Sequence, residues 1–126
     1  MAFLHNDLLD GLLDDIKNTG DVLSLCDTEP TDATEAETTY MLAKVTGLTS
    51  GDYTGPADGD TSGRKLTKDA ESGISVTNSG DTAYFAIVDS GTKLLVVGTC
   101  TAQTLTAGNT VNTTAVDIEL RDAADE

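Results

Sequence analysis

The chain has 126 residues, of which 22 are acidic and 7 are basic, so its formal net charge is −15. This length suits a single domain, 1–126, built around one core. The charge argues against nucleic-acid binding, because phosphate contacts require a stripe of Lys and Arg that this sequence lacks. The apolar runs are too short to cross a bilayer, and 1–16 carries aspartates where a secretory signal has basic residues. Composition therefore predicts a soluble acidic protein with neither a nucleic-acid nor a membrane partner.

The N-terminal segment, 1–19, is predicted to form one amphipathic helix, because apolar residues recur at helical spacing and aspartates fill the other positions. Asn6 is a suitable N-cap, and Gly20 is a suitable stop. The apolar stripe has two interpretations: it covers an open face of a β-sheet, or it docks on a neighbouring subunit. The stripe comprises Leu4, Leu8, Leu9, Leu12, Leu13 and Ile16, and its interaction candidates are Leu4, Leu8 and Leu12.

From Asp21 the hydrophobic period changes to two, which is typical of strands. Threonine supplies 21 residues and glycine 12, and β-branched residues separated by glycine turns favour an all-β domain. The strongest hairpin signal is 89–92, Asp-Ser-Gly-Thr, between two apolar runs. Surface loops are predicted over 28–38 and 51–63, which are acidic and contain Pro or several glycines. Candidate strand segments lie at 21–27, 39–48, 64–69, 74–77, 83–88, 93–99, 101–106, 111–114 and 115–120.

These elements predict a mainly β fold: a single antiparallel β-sandwich or flattened barrel of about seven or eight short strands with one N-terminal helix. The β-domain is expected to span 21–120, followed by an acidic tail at 121–126.

The sequence contains no recognisable catalytic motif, so we expect that this protein is not an enzyme. The single histidine, His5, has no Ser or Cys motif beside it. The aspartates lie in glycine-rich loops or on the polar side of the helix, where water keeps them ionised, whereas an acid–base pair needs one desolvated group. Cys26 and Cys100 lack zinc-ligand spacing, and we favour two free thiols over a disulfide.

One segment has the spacing of a calcium loop. Asp58, Asp60, Ser62 and Asp69 follow the order D-x-D-x-S-G-x5-D, and calcium is bound by several hard oxygens around a tight turn. The last position is Asp rather than the longer bidentate Glu, and two basic residues lie within the loop. We therefore favour an ordinary Asp/Gly turn over a calcium site, and we expect no other cofactor.

The basic cluster, Arg64, Lys65 and Lys68, stands out in so acidic a chain. It has two interpretations. The three side chains pair with nearby acids such as Asp60 or Asp69, or they bind an acidic surface on a partner.

Four stretches resemble small virion proteins encoded among the structural genes of tailed bacteriophages and prophages. They are FLHNDLLDGLLDDI (3–16), VLSLCDTEPTDATEA (22–36), PADGDTSGRKLT (56–67) and AYFAIVDSGTKLLVVGT (83–99). The resemblance covers nearly the whole chain, and its motifs mark a scaffold rather than an active site. This chain is more acidic than is usual for such proteins.

The resemblance implies a non-enzymatic structural protein located in the virion and assembled in the host cytoplasm. The leading expectation is a capsid decoration, or cement, protein that binds the major capsid protein or another virion protein as a homo-oligomer. A neck or tail component is the first alternative. The second is an exposed receptor- or carbohydrate-binding module with Tyr40, Tyr53, Tyr84 and Phe85 as its platform.

Overall fold

The fold is described from a computed structural model, which covers residues 5–60 and 63–120. The predicted helix is confirmed as α1, Asn6–Thr19. Its N-cap is His5 and not Asn6, as the imidazole Nδ1 accepts a hydrogen bond from the backbone N–H of Asp7 at 3.1 Å. The helix ends as expected at Gly20, whose N–H donates to the Ile16 carbonyl at 2.7 Å. The predicted tail at 121–126 lies outside the described residues.

Strands hold 46% of the described residues and helices 21%, so the mainly β, sandwich-like fold is confirmed. The described part of the chain contains eleven strands, several of them shorter than the apolar runs suggested. They are β1 (Val22–Cys26), β2 (Met41–Val45), β3 (Tyr53–Asp58), β4 (Arg64–Lys68), β5 (Glu71–Ser75), β6 (Gly80–Asp81), β7 (Tyr84–Asp89), β8 (Lys93–Thr99), β9 (Thr104–Leu105), β10 (Thr110–Thr113) and β11 (Val116–Leu120).

All strand pairs are antiparallel. The main sheet has the order β2-β1-β7-β8, and a second sheet has the order β11-β4-β3. The pairs β10-β5 and β6-β9 complete the fold. The predicted hairpin at 89–92 is confirmed, because β7 and β8 pair from Asp89↔Lys93 to Tyr84↔Thr99.

The predicted loop over 51–63 is wrong, since it contains a short 3-10 turn, Ser50–Asp52, and strand β3. Gly55 has φ +108°, and the register with β4 is irregular between Thr54 and Ala57. Pro56 therefore lies within this irregularity on the outer strand of its sheet, where the missing N–H breaks no central ladder.

The predicted loop over 28–38 also holds structure. A π-helical turn, Glu35–Thr39, follows a short helical start and lies on β1, β2 and β7. Ala33 and Ala36 are buried there and pack with Val22 and Val88 on one face of the main sheet. This turn therefore covers the face of the sheet that is turned away from α1.

The principal core lies between the main sheet, the second sheet and α1, where Leu13, Leu23, Tyr53, Leu66 and Ile87 pack together. A second cluster fills the space between the main sheet and the β10-β5 pair. Because α1 contributes Leu13 to the principal core and packs on β3 and β4, the core holds the helix in place.

Candidate interaction surface

The apolar stripe of α1 divides between two faces of the helix. Leu9 and Leu13 are fully buried, whereas the side chains of Leu8 and Leu12 are 53% and 49% exposed. The interpretation that the stripe covers a sheet is therefore confirmed for Leu9 and Leu13, whereas Leu8 and Leu12 face solvent and their docking on a neighbouring subunit stays a prediction. Leu4, the third interaction candidate, lies outside the described residues.

Leu8 and Leu12 are one turn apart, so they are neighbours on the helix surface, and we refer to this pair as the leucine ridge. They are the exposed large hydrophobic residues of 5–60 and 63–120. Asp7, Asp14 and Asp15 lie on the same helix and are exposed. The ridge therefore lies on a helix that also exposes several aspartates, of which Asp15 is the one a single turn from Leu12.

Two tethers fix α1 to the second sheet. The Arg64 guanidinium donates to both carboxylate oxygens of Asp10, from Nε at 2.6 Å and from Nη2 at 3.3 Å. Nearer the end of the helix, Lys17 Nζ donates to the Gly55 carbonyl at 2.9 Å. Because these bonds reach β4 and β3, they hold the leucine ridge in one orientation relative to the β-domain.

Arg64 also binds a second carboxylate, since Nη1 donates to Asp58 Oδ1 at 2.6 Å. The hydrogen bond with Asp10 is the main cause that raises the pKa of Arg64 above its ordinary value. The guanidinium is thus occupied on both sides by acids of its own chain.

Lys65 also forms ion pairs with acidic residues of its own chain. Its ammonium donates to Asp60 Oδ1 at 2.7 Å and lies 3.7 Å from Asp117 Oδ2. The hydrogen bond with Asp60 raises the pKa of Lys65 and lowers the pKa of the Asp60 carboxyl. Of the two interpretations of the basic cluster, pairing with nearby acids therefore describes both Arg64 and Lys65.

Of the two interpretations of the basic cluster, pairing with nearby acids also describes Lys68, and its burial does not fit the other, binding to a partner surface. Its side chain is 1% exposed, and its ammonium donates to the Asp69 carbonyl at 2.8 Å and to the Glu71 carboxylate at 3.0 Å. The ammonium also lies 5.9 Å from the centre of the Tyr53 ring. Lys68 is a core residue whose charge is balanced internally.

The carboxylates of the calcium spacing do not converge. Asp58 binds Arg64, Asp60 binds Lys65, and Asp69 accepts a hydrogen bond from Thr54 Oγ1 at 2.7 Å. Ser62 lies outside the described residues. Within the described ranges no three His, Cys, Asp or Glu side chains come together as a metal site. Asp58 and Asp60 instead form ion pairs with the first two residues of β4.

The two cysteines are free thiols. Cys26 is buried on β1, and its thiol donates to the Ala36 carbonyl at 3.6 Å. Burial raises the pKa of Cys26 to about 12, with Asp27 and Cys100 adding smaller contributions. Burial also raises the pKa of the half-buried Cys100, although a hydrogen bond with Thr82 opposes part of that rise. Neither thiol is therefore prepared to act as a thiolate nucleophile near pH 7.

A cavity of about 220 Å³ lies where the ends of β7 and β8 meet the β10–β11 connection. Its lining includes the apolar side chains of Leu25, Phe85 and Val111, together with Thr82 and Cys100. Its described lining contains no charged residue. Sequence reasoning did not find this cavity, because its lining comes from segments far apart in the chain.

The proposed aromatic platform does not form as a single exposed surface. Tyr53 is buried, and its hydroxyl donates to the Gly20 carbonyl at 2.7 Å. Tyr84 and Phe85 are adjacent on β7, so their side chains point to opposite faces of the sheet. Phe85 packs over Gly98 on the core side, where a Cβ at position 98 would collide with the ring.

The chain matches no protein-family model, no curated protein and no solved structure. In the part of the chain that the structure describes, every helix is too short or too polar to span a bilayer.

A functional proposal rests on the leucine ridge, whose helix is bound to the β-domain through Asp10 and Lys17. Sequence reasoning identified the ridge but not its tethers, because Asp10 and Arg64 are 54 residues apart.

Proposed function

We propose that this protein is a non-enzymatic structural component of a tailed-phage virion that attaches to the capsid through the leucine ridge. The observation that carries the proposal is the half-exposure of Leu8 and Leu12 on a helix whose other face is locked to the β-domain. Exposed apolar residues on a fixed scaffold are typical of a contact surface, because a partner can bury them without reordering the chain. The sequence resemblance to phage virion proteins supports the identity of that partner.

The surroundings of the ridge define the chemistry of the partner surface. Asp15 is exposed one helical turn after Leu12, and the whole chain carries a charge of −15. A complementary surface is therefore an apolar groove lined by Lys or Arg, offered by the major capsid protein or another virion protein. Charge complementarity of this kind guides the approach, whereas burial of the leucines supplies the contact energy.

The small size of the leucine ridge limits the affinity with which a single copy can bind its partner. Burial of the remaining exposed half of each leucine contributes about 1–1.5 kcal/mol. One ridge alone therefore gives weak binding, since association also costs translational and rotational freedom. A decoration protein overcomes this limit when several linked copies bind one lattice, because the second contact becomes intramolecular.

The test is the copy number of this chain in purified particles of the phage that encodes it, measured by quantitative mass spectrometry against the major capsid protein. Capsid decoration predicts hundreds of copies in a simple ratio to the capsid protein. A dozen copies or fewer would move the assignment to the neck or tail. Absence of the chain from washed particles would overturn the virion proposal altogether.

A further inference from the structure

The cavity of about 220 Å³ lies where the two larger core clusters meet. Leu23 belongs to the principal core, and Leu25 and Val111 belong to the second cluster. Phe85 packs against both clusters and is the register partner of Leu25 on β7. Leu23 and Leu25 are two residues apart on β1, so their side chains lie on the same face of the main sheet. These side chains give the cavity a continuous apolar wall.

Thr82 fixes the 101–103 segment of the lining. The Thr82 hydroxyl donates to the Thr101 carbonyl at 3.0 Å and accepts a hydrogen bond from the Gln103 N–H at 3.0 Å. The Thr82 N–H donates to the Gln103 carbonyl, also at 3.0 Å. Because Thr82 is itself 3% exposed, these bonds are shielded from water and hold this part of the lining in place.

The β10 part of the lining is bound to β5. The Asn112 side-chain oxygen accepts a hydrogen bond from the Gly73 N–H at 2.8 Å. The Thr113 hydroxyl accepts one from the Glu71 N–H at 3.2 Å. The cavity is therefore formed before any ligand enters, and binding does not have to order a segment of the chain.

The lining combines apolar and uncharged polar groups. The chain has 22 acidic residues, yet the described lining contains neither an acidic nor a basic residue. The side chains of Thr101, Gln103 and Thr114 are part of the lining, and they form no hydrogen bond within the described residues. They are therefore available to a polar group of a ligand. A charged ligand would lose its hydration without gaining a counter-ion.

We propose that this cavity binds a small uncharged organic molecule made of a single ring with one hydrogen-bonding group. A cavity of about 150 Å³ lined by Leu, Ile and Phe admits benzene, so about 220 Å³ accepts a ring with a short polar substituent. The ring packs against Leu25 and Phe85, and its substituent binds the uncharged polar side chains of the lining. This inference goes beyond the proposed attachment to a virion, since no residue of α1 is among those that line the cavity.

The test is a methyl NMR titration of the full chain with three probes of similar shape: benzyl alcohol, benzoate and the benzylammonium ion. Benzyl alcohol should shift the methyl signals of Leu25 and Val111 in a saturable manner at millimolar concentrations. The two charged probes should bind at these methyl groups at least about tenfold more weakly, because the lining offers no counter-ion. Equal binding of the three probes, or no saturable shift with benzyl alcohol, would overturn the proposal.

The reactivity of Cys100 provides a second readout on the wild-type chain. Cys100 lines both the cavity and the more open space beside it. Bound benzyl alcohol should therefore slow the reaction of this thiol with a chromogenic disulfide reagent, and the effect should saturate. The same concentration should leave the labelling rate of the urea-unfolded chain unchanged. A Cys100 rate that is independent of benzyl alcohol would contradict binding in the cavity.

Val116→Phe tests whether the probe occupies this cavity. Val116 is half-buried and lines the cavity, so the larger ring takes up part of its volume and should weaken benzyl alcohol binding at least about tenfold. Val97→Phe is the matched control, because Val97 is also half-buried but packs with Val22 and Val88 on the face of the main sheet turned away from α1. It should bind like the wild type. Normal binding by folded Val116→Phe would overturn the proposal, and the two wild-type measurements decide it if this variant does not fold.

Discussion

Arg64 on β4 binds Asp10 on α1 through two nitrogens, with Nε 2.6 Å from Oδ1. Both side chains are mostly shielded from water, and the pair links the helix that carries the leucine ridge to the second sheet. Bidentate Arg–carboxylate contacts fix geometry as well as adding energy. The orientation of the ridge thus depends on this ion pair together with the buried Leu9 and Leu13.

Arg64→Ala should lower the melting temperature by a few degrees and loosen α1, because Asp10 loses both of its bonds to the β-domain. Arg64→Lys should give a smaller loss, since Lys keeps the charge but not the two-pronged contact. Thermal unfolding followed by circular dichroism measures the effect. Asp58→Asn is the control, because Asp58 is mostly exposed and is not part of the helix tether. A melting temperature unchanged in Arg64→Ala would show that the ion pair does not hold the helix.

Lys68→Met tests the conclusion that Lys68 belongs to the core. The substitution keeps much of the side-chain volume but leaves the Glu71 carboxylate without its ammonium partner, so we expect a loss of about 2 kcal/mol in the free energy of unfolding. Urea unfolding measures this loss. Lys93→Met, the same change at an exposed site, should cost no more than about 0.5 kcal/mol. Equal effects at the two positions would contradict the buried role of Lys68.

Calcium should leave the melting temperature unchanged, because Asp58 and Asp60 are already bound to Arg64 and Lys65. Differential scanning calorimetry with millimolar calcium or with a chelator checks this expectation. A stabilisation that the chelator reverses would show that the ion pairs give way to a metal site.

The two thiols should differ sharply in reactivity. Cys26 is 0% exposed and its pKa is raised to about 12 by burial, so it stays protonated and shielded up to at least pH 9. Cys100 is only half-buried and should react first with a chromogenic disulfide reagent at pH 8. Cys100→Ser should remove the native-state reaction, while urea should release one thiol in that variant. Fast labelling of native Cys100→Ser would show that Cys26 is accessible.

Elements with local sequence signals were predicted well. The helix follows from the spacing of its leucines, and the β7–β8 hairpin follows from two apolar runs around Ser90–Gly91. Strand β3 was missed because Gly55 and Pro56 are typical of loops, and only its position beside β4 makes it a strand. The π-helical turn was missed because Ala33 and Ala36 give a weak hydrophobic signal within an acidic segment.

The candidate site was predictable only in part. Leu8 and Leu12 were named as interaction candidates, but the sequence did not show that Leu9 and Leu13 of the same stripe are the residues that cover the sheet. Lys68 was named as an interaction candidate because it belongs to the basic cluster, and lysine is mostly exposed in proteins. Its partner, Glu71, lies three residues away on the next strand, and the fold brings both beside Tyr53. The contact between Lys68 and Tyr53 joins separate strands, and such packing leaves no periodic mark in the sequence.

The most direct test of the account is binding of the purified chain to capsids that lack it, measured by co-sedimentation. The wild-type chain should bind in a saturable manner, and the double variant Leu8→Lys/Leu12→Lys should lose binding while keeping its melting temperature. The matched control, Ala102→Lys/Thr106→Lys, adds the same charge at exposed loop positions and should bind like the wild type. Normal binding by the Leu8→Lys/Leu12→Lys variant would contradict the claim that the leucine ridge attaches this protein to the capsid.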